Sequence, residues 1–128
     1  PLPSIADPKV AVTICYVARE LGASDRVLLS AYEAALVEST MRNLDYGDRD
    51  SLGVFQQRPS QGWGSSAQVR NVDYASRQYL TRAIAKDRDP LKRDLSAGQL
   101  AQEVQRSGFP LRYDERETQA RAAIAQYC

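Results

Sequence analysis

Helical periodicity runs through this chain and stops once, abruptly, in its middle. Residues 42–64 (RNLDYGDRDSLGVFQQRPSQGWG) hold four glycines, one proline and three aspartates, and no helical stripe. The segments on both sides are helix-patterned, so the chain reads as a mainly α domain that holds one long polar loop. Loops of this length inside compact domains are usually functional. A short hairpin or a single helical turn fits near Val54–Gln57.

The helices announce themselves by their ends. Asp7-Pro8 reads as N-cap and first turn of a helix that stops at Gly22, with Val10, Ile14, Val17, Ala18 and Leu21 as its apolar positions. Ser24 caps a second helix running to about Thr40. Helical pattern returns from Ser66 to Ala85, with a possible break near Asn71. Lys86 to Asp94 is a charged surface connection, read as solvated. Ser96 and Gln99 form a capping box for a helix ending at Gly108, and Asp114 and Glu117 form another for a last helix to about Gln126. No repeat and no low-complexity tract interrupts this order, and 128 residues suit a single domain.

Composition narrows the function. A net charge of +1 argues against a chain that binds nucleic acid through the backbone phosphates, and against strong electrostatic attraction to an anionic cell wall. No apolar run approaches the roughly eighteen residues of a membrane span. The absence of histidine removes Ser-His-Asp and Cys-His catalysis and the commonest zinc ligand, and no metal or cofactor is expected. The first residues lack a basic, apolar secretory leader, so a secreted protein is expected in its mature form. Cys15 and Cys128 stand near opposite ends. In a secreted protein they pair; inside a cell they are two ordinary thiols. Pairing would close a loop worth about 4–5 kcal/mol in the chain-entropy account.

The second helix holds an anomaly. Leu28, Ala31 and Ala35 recur at spacings of three and four, and the next position on that stripe is Glu38. A carboxylate thus occupies a core position in the last turn before the loop. Burial and the negative end of the helix dipole both raise its pKa, as a general acid requires. The alternative is an exposed glutamate at a frayed helix end. Glu33, well around the helix from that stripe, is expected to be solvated.

Glu38-Ser39 at a helix end, then Gly47-Asp48-Arg49, then Gly53-Val54-Phe55-Gln56, resembles the soluble lytic transglycosylase and goose-type lysozyme superfamily over about residues 28–64. That family has a Glu-Ser pair closing a helix and a Gly-Leu-Met-Gln-like segment after it. Its late Ala-Tyr-Asn-Ala-Gly-like turn is absent here, and Val104-Gln105-Arg106-Ser107-Gly108 stands in its place. The resemblance implies a lysozyme-like fold and a secreted, monomeric enzyme. Its substrate would be a polysaccharide, peptidoglycan or another N-acetylated amino-sugar polymer, cut at β-1,4 bonds.

In such an enzyme Glu38 protonates the leaving oxygen. Asp48, with Asp45 and Asp50 behind it, is the candidate second carboxylate if water is the acceptor. If an anhydro sugar forms instead, one carboxylate suffices. Ser39 either orients Glu38 or finishes the helix. Gly53 admits a sugar or a close backbone, or makes a tight turn. Gln56 and Gln57 offer amides to sugar hydroxyls. Trp63 either stacks on a sugar or plugs the loop onto the core. Tyr74 and Tyr79 read as core, and one of them could reach Glu38. Two other readings remain: a catalytically silent glycan-binding module with the same fold, and a helical interaction or inhibitor protein in which Glu38 is incidental.

Overall fold

The structure is a computed structural model that describes residues 7–128. The chain start read for a secretory leader, residues 1–6, lies outside the described residues. Helix α1 spans Pro8–Glu20, with the Asp7 side chain accepting from the Lys9 N–H at 3.0 Å. Helix α2 spans Asp25–Ser39, with Ser24 accepting from the Val27 N–H. The helical stretch after the loop does break: α3 (Ser66–Val69) gives way to α4 (Val72–Asp87), whose cap is the Asn71 side chain. Helix α5 (Ala97–Gln105) carries the Ser96/Gln99 capping box, and α6 (Glu117–Tyr127) ends the chain.

Helix α2 is the hub. It packs against α1, α4, α5 and α6, and every residue from Leu29 to Leu36 is buried. Polar ends of the core aromatics find partners: the Tyr32 hydroxyl donates to the Ala11 carbonyl at 2.6 Å, and the Tyr79 hydroxyl to Ser30 Oγ at 3.0 Å. Phe55, from the loop, stacks on Tyr79 with ring centroids 4.9 Å apart. Burying one such ring is worth roughly 1.5–3 kcal/mol, so the loop is anchored to the core at this point.

Three expectations need correction. Glu33 is fully buried rather than solvated. A single stripe describes a helix with one covered face, whereas α2 is covered all round. Asp114 does not cap the last helix. Its carboxylate accepts from Ser96 Oγ and from the Gly98 N–H at 3.2 Å, at the start of α5, and a 3₁₀ turn at Asp114–Arg116 leads into α6 instead. Helix α5 stops at Gln105, because Arg106 turns left-handed at φ 52° before Gly108 is reached.

The connection after α4 is stitched as well as charged. The Arg26 guanidinium pairs with Asp87 at 2.7 Å and donates to the carbonyls of Lys92 and Leu95, both at 2.8 Å. Cys15 and Cys128 form a disulfide that ties α1 to the chain end, with Cα atoms 5.6 Å apart. Among the described residues no helix is long and apolar enough to cross a membrane.

Candidate active site

The site begins where α2 ends. Thr40 and Met41 are both left-handed, at φ 55° and 62°, a conformation that costs an ordinary L-residue about 1–2 kcal/mol. They hold it because the surroundings leave little choice. Met41 is buried, and its N–H donates to the Ala35 carbonyl at 3.1 Å. Ser39 Oγ lies 2.7 Å from the Val54 carbonyl and accepts from the Arg42 N–H at 3.1 Å. Ser39 therefore bolts the helix end to the loop.

Glu38, one residue earlier, is half-buried and turned the other way. Its Oε2 accepts from the Tyr113 hydroxyl at 2.8 Å and from Gln105 Nε2 at 3.1 Å. Gln105 also donates to the Phe55 carbonyl at 2.9 Å, so one amide holds both the acid and the loop. Burial raises the Glu38 pKa, and the bonds from Tyr113 and Gln105 pull it partway back by favouring the carboxylate. Both donors bind the same oxygen, Oε2, and Glu38 lines the cleft described below.

The loop is pinned from several sides. Asn43 Nδ2 donates to the Arg70 carbonyl at 2.7 Å, and the Gly53 N–H to the Leu44 carbonyl at 2.8 Å. Leu52 and Gln57 form an isolated antiparallel bridge that closes a turn over residues 53–56, where a short hairpin or one helical turn was expected. Gly53 sits at φ +81°, and a Cβ there would fall 2.2 Å from the Val69 carbonyl oxygen. The close approach that requires glycine is made by the protein's own backbone.

An open cleft of about 660 Å³ runs past Glu38. Gln56, Gln57 and Trp63 line it together with Gln105. The two amides differ. Gln57 is buried and donates to the Ala75 carbonyl at 3.1 Å, whereas Gln56 is half-buried and bonded to the carbonyls of Tyr46 and Gly53. Trp63 packs against the core and also lines the cleft, where the Arg82 guanidinium carbon sits 3.5 Å from its ring centre. Arg58, Arg82, Lys86 and Arg106 line the same wall against the carboxylates of Glu38 and Glu103. The near-neutral total charge thus hides a basic cleft.

The aspartates of the loop are placed differently. Asp45 and Asp48 are exposed and are not among the residues lining the cleft. Asp50 pairs with Arg58 at 2.6 Å and accepts from the Ser60 N–H at 2.8 Å, bonds that hold its pKa well below the usual range. The second carboxylate on the cleft wall is Glu103, which pairs with Lys92. Tyr79 is occupied by Ser30, and Tyr74 packs near Gly64 instead. Tyr113 is the tyrosine that reaches Glu38; with Glu103, it escaped the sequence reading. No family model matches this chain, and no curated protein matches it.

Proposed function

We propose that this chain is a secreted enzyme with a lysozyme-like fold that cleaves the β-1,4 bonds between N-acetylated amino sugars of bacterial cell wall, with Glu38 as the general acid. One observation carries this reading: a half-buried carboxyl of raised pKa, held by Tyr113 and Gln105, opens onto a cleft lined by amides, an aromatic ring and basic side chains. Protonated Glu38 gives its proton to the glycosidic oxygen as the bond from the anomeric carbon breaks. The substrate's acetamido oxygen closes onto that carbon and takes up the developing positive charge. The Glu38 carboxylate then removes the proton from the sugar's 6-hydroxyl. That oxygen attacks the anomeric carbon, the acetamido group leaves, and an anhydro end results.

This single-carboxylate route is favoured over hydrolysis because Asp48 is exposed outside the cleft lining. The disulfide suits an oxidising compartment outside the cell. The basic wall suits a glycan that bears carboxylates.

The experiment is digestion of purified cell wall with mass spectrometry of the fragments. Products one water lighter than simple hydrolysis products are expected. Asp48→Asn should keep the rate within a few-fold. Normal reducing ends together with a strong loss in Asp48→Asn would move the mechanism to hydrolysis. Binding of wall fragments without any product would return the chain to a silent glycan-binding module.

A further inference from the structure

Away from the cleft, α2 holds a second carboxylate that the proposed chemistry does not use. Glu33 is fully buried, and both of its carboxylate oxygens lack a hydrogen-bond partner. Leaving an ionisable group so deep and unpaired is costly unless something compensates it. What faces Glu33 is chiefly more negative charge, which the Arg121 guanidinium opposes in part. Carboxylate oxygens of Glu33, Asp114 and Glu117 all lie within 4.8 Å of one another. Burial, with Asp114 and Glu117 adding to it, pushes the Glu33 carboxyl up to about 8.

We infer that Glu33, Asp114 and Glu117 bind a divalent cation of calcium size, which fastens the middle of α2 to the start of α6. The spacing fits. Calcium takes oxygen ligands at about 2.3–2.6 Å, so two oxygens sharing one ion stand at most about 5 Å apart. Carboxylates are the ligands a hard cation selects, and waters complete its shell. Burial is graded across the three: Glu33 is enclosed, Asp114 is half-buried, and the Glu117 side chain is 49% exposed, which gives the ion a way in from solvent.

Two of the ligands are already oriented. Asp114 is held by the Ser96 hydroxyl and the Gly98 N–H. Glu117 keeps Oε2 on Arg121 at 2.9 Å, so its other oxygen can turn inward. The ion would also supply an attachment that α6 lacks, since its cap residue Arg116 makes no side-chain capping bond.

The test is titration of the chelator-treated protein with calcium chloride, followed by calorimetry and by thermal unfolding. One ion per chain and a Tm rise of about 5 °C in excess calcium are expected. Glu33→Gln and Glu117→Gln should each weaken binding at least tenfold. Glu117 is half-exposed, so its variant keeps the fold and holds the test open should Glu33→Gln misfold. No binding heat and no Tm shift in the wild type would overturn the inference, as would unchanged affinity in both variants. None of the three ligands lines the cleft, so this result stands apart from the cell-wall digestion.

Discussion

Glu33 and Glu38 stand five residues apart on the same helix, turned about 140° from one another around its axis. Both are desolvated, and burial is the largest cause of the raised pKa in each. Their neighbours then divide them. Glu38 meets two neutral donors and a cleft; Glu33 meets two carboxylates and closed packing. Burial alone therefore does not make a catalytic acid. A carboxyl becomes one when donors fix its direction, its raised pKa keeps the proton within reach of working pH, and an open side lets a substrate approach.

The widest separation between the two should appear on removing the charge from the cleft. Glu38→Gln keeps shape and glycan binding but loses the transferable proton, so turnover on cell wall should fall by about 10²–10⁴-fold or more. Near-full activity in that variant would sink the functional proposal. The converse substitution, Glu33→Met, should act on stability. In calcium-free buffer it removes an unpartnered buried carboxyl and should stabilise by about 1–3 kcal/mol in urea unfolding. A variant less stable than the wild type under that condition would mean that Glu33 has a compensating partner.

A subtler change tests the donors on Glu38. A general acid works protonated, so activity is lost as pH rises through its raised pKa. The Tyr113 hydroxyl favours the carboxylate form, and Tyr113→Phe removes that bond. The alkaline limb of the rate profile should therefore move to higher pH. A limb that stays in place, or moves down, would show that Tyr113 only packs. The smallest effect concerns the turn that ends α2 beside Glu38. Thr40→Gly relieves a left-handed residue and should add up to about 1 kcal/mol of stability. A loss of stability would mean that the threonine side chain is used.

What the sequence made legible was local. Asp7, Ser24 and the Ser96/Gln99 box mark helix starts through bonds spanning two or three residues, and the structure contains each of them. Glu38 stood out because it continued an apolar stripe. The residues that complete its setting were hidden by distance: Gln105 and Tyr113 lie 67 and 75 positions away along the chain. Nothing in a neighbouring residue signals such a meeting. Gln105 fell within the segment 104–108 that the sequence reading had singled out, so its region was in view but its role was not. Glu33 was misjudged because helical periodicity assumes a solvent side, which the middle of α2 lacks. Asp114 was misassigned because a capping pattern names a possible donor, and the start of α5 competed for the same carboxylate.

The disulfide has a bearing on the loop that contact energies do not express. Cys15 lies before residues 42–64, and Cys128 lies after them. A protease that nicks the backbone once inside this partly exposed stretch therefore produces two fragments that stay covalently joined. The Phe55 stack and the Gln105 bridge remain to hold the cut ends near their places, and nothing diffuses away. Only a reductant, or a second cut, would let the halves part. One strand break in this loop would then be an injury and not a death.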